Sequence, residues 1–540
     1  MSVTRRSVLG GSLAAGVAAS TQGFAAEGPS RVERWGLWET ALHGPAEGNP
    51  FVDVTLAAVF ECDGSRVRVP GFYDGEGVYR IRFSPPEMGC WRWTSESNAP
   101  ALAGQSGAFE AVAPGPGNHG PVRVSADGFH FTYADGTPYR QMGTTAYAWA
   151  LQADAKCAET IETLKTAPFN KMRMVFFPSV PSVAVDPFAR TGEGFQDWDA
   201  TRFDPAYFRR FEDRIRRLGE IGVEADVILY HPYDPDKRGY STMRRADDER
   251  YLRYIAARFG AYRNLWWSMA NEYDLVEAKS VDDWDHLGAV LHAADPHDRL
   301  RSIHQFDVYY DVRKPWITHA SVQNNFAVLD DGRAQLHRAF ADKPVIFDEV
   351  GYEGNFSQPW GNLTPEELVE RFWFGLVGGT YVGHGEVWHP SGNPNYSWLG
   401  QGGKLTGTSV PRLAFLRRIM EDGPVPGFEP IQAWWNYRLA GKPFETYLRY
   451  FGKETPDEWR VVLPRGSGTR HGRIPPWTES GPANTYRAEI IDTWNMTVTP
   501  VDGVFRTAPL NEQQFHAPDR PAIALPRAPY LAVRFSRVRA

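Results

Sequence analysis

The sequence predicts an α/β protein, a (β/α)8 (TIM) barrel flanked by N-terminal and C-terminal β-sandwich domains. Three observations carry this reading. Apolar strand-like runs alternate with helical patterns through the middle of the chain, from residue 121 to 424. Strand patterns without helices fill both flanks. The Pro/Gly-rich stretch APGPGNHGP, at 113–121, marks the first change of rhythm. At 540 residues the chain is also too long for one hydrophobic core.

The first segment is a leader. TRRSVLGGSLAAGVAAS sets Arg5 and Arg6 before a short run of small apolar residues, and GFA offers small residues for cleavage after Ala25. The run is too short to span a bilayer, so residues 1–26 read as a twin-arginine export signal. The expected location is periplasmic or secreted. No later segment is apolar enough to span, so no membrane partner is expected once the leader is cut.

Residues 30–115 read as a β-sandwich. VDVTLAAVFE and GVYRIRFSP alternate apolar and polar residues, and CDGS, YDGEG and PPEMG supply turns. Three cysteines, Cys62, Cys90 and Cys157, leave at least one thiol unpaired within the chain. Cys62 and Cys90 share this module, and their pairing is left open.

Residues 121–424 carry eight apolar strand candidates: 139–146, 170–177, 223–230, 264–270, 299–304, 317–323, 343–348 and 379–387. Helical patterns lie between most of them. DPAYFRRFEDRIRRLGEIG has Asp204 as N-cap, Pro205 at the first turn and Gly222 at the end. TPEELVERFWFGLVGG repeats the design, with Thr364 and Glu367 spaced for a capping box. No Gly-rich nucleotide fingerprint follows the first strand, which disfavours an open doubly wound sheet. Residues 425–540 return to strands, in ETYLRYFG, EWRVVLP and PYLAVRFSRV, and read as a second sandwich.

In such a barrel, functional groups sit at the C-terminal strand ends. In strand order those ends offer Tyr147 and Trp149; Arg173; His231, Tyr233 and Asp234; Asn271 and Glu272; His304; Gln323 and Asn324; Asp348 and Glu349; and His384, Glu386, Trp388 and His389. The strand interiors are apolar and the ends polar or aromatic. The net charge of −7 argues against a nucleic-acid partner. Nineteen Trp, 23 Tyr and 31 Phe fit large cores, and also a site that stacks on sugar rings. No Cys/His spacing resembles a zinc site, and no other ligand cluster appears, so neither metal nor cofactor is expected.

Glu272 and Glu349 close the fourth and seventh strands and therefore meet across one mouth. Such a pair suits glycoside hydrolysis, in which one acid protonates the leaving oxygen and one carboxylate attacks the anomeric carbon or activates water. The plainer reading of Glu272, a buried acid with local partners, loses weight once Glu349 is counted. Alternation along a strand lets only one of Asp348 and Glu349 face the mouth, and Asp348 is then expected to hold a neighbouring loop or helix. Trp266 and Trp267 read as packing.

MANE after the fourth strand and IFDEVG after the seventh resemble the acid/base and nucleophile motifs of the retaining (β/α)8 glycosidases of clan A. GFYDGEGVYRIRFSPPEMGCWRW resembles the N-terminal β module of apiosidase-like glycosidases, and EIIDTWNMTVTPVDG their C-terminal companion. The resemblance implies that Glu272 is the acid/base, Glu349 the nucleophile, and Asn271 a partner of the hydroxyl beside the anomeric carbon. More loosely, it places Arg173, His231, His304 and Trp388 as site-shaping residues. Tyr147, Trp149, Gln323, Glu386 and His389 complete the expected substrate contacts, with Glu353 a further candidate. The expected function is an exported retaining glycoside hydrolase acting on plant or bacterial polysaccharides or oligosaccharides. Long loops at 178–200 and 389–409 point to an enclosed, exo-acting pocket, and the resemblance extends to furanosides. A non-catalytic carbohydrate-binding protein on a degenerate barrel, or a transglycosylase, is the alternative.

Overall fold

The computed structural model describes residues 30–179, 186–234, 238–324, 329–431, 433, 435–465 and 483–539. The expected leader, 1–26, lies outside these residues.

Eight parallel strands form the central sheet: β1 (Gly143–Thr145), β2 (Lys171–Val175), β3 (Glu224–Tyr230), β4 (Leu265–Ala270), β5 (Leu300–Ser302), β6 (Ala320–Gln323), β7 (Val345–Glu349) and β8 (Tyr381–His384). Their spatial order is β5-β4-β3-β2-β1-β8-β7-β6, and an isolated bridge between His304 and Ser321 joins the two edges. That closes the barrel and leaves no long free edge.

Among the described residues, seven helices of more than ten residues surround it: α1 (Asp154–Leu164), α2 (Pro205–Glu220), α3 (Arg245–Phe259), α4 (Val281–Ala294), α5 (Asp331–Ala341), α6 (Pro365–Val377) and α7 (Ser409–Glu421). The β5–β6 connection has none. Asp204 caps α2 by accepting from the Ala206 amide, and Thr364 with Glu367 forms the capping box of α6.

Both flanks are β-rich. The N-terminal region packs a five-stranded sheet against the three-stranded sheet of Trp38–His43, Phe72–Gly75 and Val78–Phe83. Trp38, Phe60, Phe83, Trp91, Trp93 and Phe109 fill the space between. Cys62 is buried and Cys90 exposed, and both are free thiols. Strand register explains this, because Cys90 pairs with Glu110 on the outer face while Cys62 points inward. The C-terminal region is built on a six-stranded sheet, and its Tyr450 stacks on Trp373 of α6.

The N-terminal region is fixed to the barrel by buried ions. Arg258 of α3 bonds Asp74 at 2.8 Å and Glu212 of α2, and Arg82 bonds the same Glu212. Tyr254 donates to the Tyr73 carbonyl at 2.9 Å.

The barrel interior is partly ionic. Lys171 of β2 sits between Asp226 of β3 at 2.6 Å and Asp348 of β7 at 2.8 Å, and Ser321 donates to Asp348 at 2.6 Å. Asp348 thus braces the barrel interior, rather than a loop or helix. The β6–β7 pairing shifts register between Ser321 and Gln323. Such an irregularity re-aims side chains, and here Asp348 and the following Glu349 both reach the inside.

Two strand candidates are divided in the structure. Of 139–146, Tyr139 joins a small three-stranded sheet that also holds Phe131, which packs on Trp266 and Tyr381. Of 379–387, only Tyr381–His384 stays in the barrel. Glu386–Val387 leaves it to pair with Glu353–Gly354. At the bend is Gly385, where a Cβ would lie 2.4 Å from the Tyr352 ring.

Candidate active site

The C-terminal strand ends surround a cavity of about 610 Å³. Tyr147, Tyr233, Glu272, Phe306, Gln323, Glu349, Tyr352, Trp360 and Asn395 are among its walls. Two chain segments, 351–360 and 394–400, supply much of one side.

Glu272 follows β4 in the left-handed region, at φ 45°. That conformation is uncommon for a residue other than glycine, and it turns the chain out of the strand. The next turn is anchored by Asp274, which accepts from the amides of Phe306, Asp307 and Val308. The two tryptophans behind Glu272 are indeed buried, Trp266 bonding Glu224 and Trp267 bonding Asp295, each at 2.9 Å.

The two glutamates are held differently. Glu272 accepts from the Tyr233 hydroxyl and, at 3.0 Å, from Gln323 Nε2. Burial and then the charge of Glu349 push its pKa up to about 7, against the opposing pull of these donors and of Arg173. Glu349 accepts on Oε1 from the Tyr147 hydroxyl and from Arg173 Nη1, the latter at 2.9 Å. Burial would raise Glu349 too, but His304 and Arg173 outweigh it and hold the carboxyl below its ordinary value. His304 itself is driven down to about 3 by burial and is neutral near pH 7, so Arg173 is the lasting cation. Below about pH 7, therefore, Glu272 is mostly protonated while Glu349 is ionised.

Asn271 and Arg173 stand behind this pair. Arg173 Nη2 donates to Asn271 Oδ1, and Asn271 Nδ2 donates to the Tyr233 hydroxyl at 2.9 Å. A chain of bonds therefore runs Glu349–Arg173–Asn271–Tyr233–Glu272. His304 is fully buried, with Nε2 3.9 Å from Glu349 Oε1.

His231 lies below the surface, between the Phe177 carbonyl at 3.0 Å and the Tyr233 amide at 3.1 Å. It supports Tyr233. Trp149 is completely buried in the core. Glu386, Trp388 and His389 are on or just after the side ribbon, outside the walls named above. Glu386 accepts from the amides of Thr406 and Gly407. Trp388 donates to Glu353 at 3.2 Å, and His389 bonds Ser391. Glu353 accepts from the amides of Thr408 and Ser409, at the start of α7.

Tyr233 was visible in the sequence at its strand end, but nothing there assigned it to Glu272. Tyr352 and Trp360 follow the seventh strand in GYEGNFSQPWG, and their aromatic content was the one available signal. Among the described residues, Asp127, His130 and Glu429 form the one cluster with metal-ligand spacing. Arg338 already occupies both oxygens of Glu429, at 2.8 and 2.7 Å.

A family model described as "Apiosidase-like, catalytic domain" matches residues 125–424. The chain belongs to the apiosidase-like family. Domain families of unknown function match its flanks, DUF5060 over 31–98 and DUF5605 over 435–536. A solved structure from Bacteroides vulgatus ATCC 8482, titled as a candidate glycoside hydrolase, is 37% identical over 94% of this chain and 100% of that one, with a TM-score of 0.88. A glycoside hydrolase family 5 structure from the same organism is 14% identical over 78% of this chain and 94% of that one, at TM-score 0.54, which is a likeness of fold. No curated protein matches the chain. This apiosidase-like protein therefore has the barrel of glycoside hydrolases, with β-rich regions at both ends.

Proposed function

We propose that this protein is an exported, retaining glycoside hydrolase. The observation that carries the reading is one cavity walled by two carboxyls at the ends of β4 and β7, whose surroundings push their pKa values apart. Glu272 gives its proton to the glycosidic oxygen as Glu349 attacks the anomeric carbon. The leaving group departs with that proton, and the glycosyl unit stays on Glu349. Glu272, now a carboxylate, takes a proton from water as the water attacks the same carbon. The sugar leaves, Glu349 is freed and Glu272 is protonated again.

The bonds from Tyr147 and Arg173 to Glu349 both fall on Oε1, which favours Oε2 as the attacking atom. Asn271 Nδ2 is suited to the hydroxyl beside the anomeric carbon once Tyr233 yields it. The walls at 351–360 and 394–400 support exo-action on a polysaccharide or oligosaccharide end, and the family extends the reading to furanosides. Export rests on the leader at 1–26.

Glu349→Gln is expected to keep the fold and lose at least about 1,000-fold in kcat on aryl glycosides and plant or bacterial polysaccharides. Near-normal turnover in that variant would sink the assignment. Proton NMR of the first-released anomer tests retention.

A further inference from the structure

Glu353 and Glu386 are not among the described wall residues of the cavity, and the proposed reaction uses neither. Both are buried, on the paired strands of the side ribbon. Together they accept from four successive amides. Glu386 takes those of Thr406 and Gly407, at 2.6 and 2.8 Å, and Glu353 those of Thr408 and Ser409, at 2.8 and 3.1 Å. Gly407 sits against both carboxyls, since a Cβ there would lie 2.5 Å from Glu386 Oε2 and 2.6 Å from Glu353 Oε2. Two acids packed together out of water oppose each other's charge. Burial, with Glu353 adding to it, pushes the Glu386 pKa up to about 7 against its amide donors. A stretch that merely led from one helix to the next would need no such pair.

The bonded stretch carries the cavity wall. It runs back from 406–409 into the short helix Trp398–Gln401, and Pro394, Asn395, Leu399 and Gly400 are wall residues. The Gly403 amide donates to Thr160 at 2.8 Å, which fixes the middle of the stretch on α1. The carbonyls of Leu399 and Gly400 accept from the amides of Tyr147 and Ala148, at 2.7 and 2.9 Å. Tyr147 is the residue whose hydroxyl donates to Glu349.

We infer that Glu353 and Glu386 are positioning residues: they clamp 406–409, and through it hold the 394–401 wall and Tyr147 in place against Glu349. The kinetic consequences rest on the glycosidase reading. Burial raises the Glu349 carboxyl, and His304, Arg173 and then the Tyr147 hydroxyl lower it. Glu272 and Tyr352 are the other titratable groups that face it. A loosened clamp lets Tyr147 drift, weakens its bond and so raises the Glu349 pKa.

The test uses two variants of the full mature chain. Glu353→Gln sets an amide NH2 against a backbone N–H, and Gly407→Ala drives a methyl into both carboxyls without removing either. Hydrogen–deuterium exchange with mass spectrometry reads the clamp without substrate. Peptides covering 406–409 are expected to exchange at least about tenfold faster in both variants, and those covering 394–401 and 147–148 with them. Faster exchange confined to 406–409 overturns the inference. On aryl glycosides, kcat is expected to fall about 10- to 100-fold, and the acidic limb of kcat/KM to move to higher pH. That limb lies below the range in which Glu386 titrates, so its shift reports Glu349. A normal kcat with an unmoved limb also overturns the inference. Exchange that rises everywhere marks an unfolded variant, and the other variant then carries both readouts. If the wild-type chain hydrolyses no glycoside, the glycosidase reading has failed, and exchange alone decides the clamp: a coupled rise at 147–148 supports it, and none overturns it.

Discussion

Glu272 and Glu349 differ by their neighbours alone. Burial acts on both, but Glu349 has a guanidinium against it, whereas Glu272 has a tyrosine, an amide and the charge of Glu349. The proposed double displacement needs Glu272 protonated and Glu349 ionised. kcat/KM should therefore follow a bell, its basic limb near pH 7 and its acidic limb below the ordinary carboxylate value of 4.5. A profile still rising well above pH 7 would contradict the acid role. Tyr233 tunes that limb. Its hydroxyl stabilises the ionised form of Glu272, so Tyr233→Phe should raise the Glu272 pKa and move the basic limb to higher pH. Loss of the bond is also expected to cost about tenfold in kcat, and an unmoved limb would refute the link. The two glutamates were legible in the sequence because each closes a strand inside a recognisable motif. Tyr233 was not, because its role depends on a bond to a residue on the next strand. His231 shows the same limit from the other side: its place at a strand end was visible, its burial beneath Tyr233 was not.

At the scale of elements, the core of every strand window was legible, since long apolar runs between capped helices admit few other arrangements. The eighth window shows what a run of apolar residues does not record. Nothing in its hydropathy marks Gly385 as the bend, because the bend is set by the Tyr352 ring packed against it. Residues after it, Glu386 to His389, follow the ribbon away from the mouth. The ionic interior was equally hidden, since Lys171, Asp226 and Asp348 come from three separate strands. Removing the cation there should be severe. Lys171→Met removes the cation between two buried carboxylates, of which Asp348 keeps only the Ser321 hydroxyl bond, and is expected to lower stability by about 3–5 kcal/mol. The measurement is the urea midpoint. A change under about 1 kcal/mol would mean the cluster is hydrated or protonated in the folded barrel.

At the scale of the molecule, the three regions were legible from the change of rhythm along the chain, while the way they join was not. The bonds of Arg82, Asp74, Glu212 and Arg258 link residues far apart in sequence, and each alone reads as a surface charge. That buried joint sets the N-terminal region against α2 and α3, on the flank of the barrel, leaving the cavity mouth to the barrel's own loops. The segments 351–360 and 394–400 wall that mouth, and their effect is one of counting. If only a terminus can enter, the enzyme senses how many termini a gram of polymer presents and is indifferent to its mass. Partial pre-digestion of a polymer should then raise the initial rate in proportion to the new termini, measured as monosaccharide released per minute. An unchanged rate would mean that the chain is cut along its length.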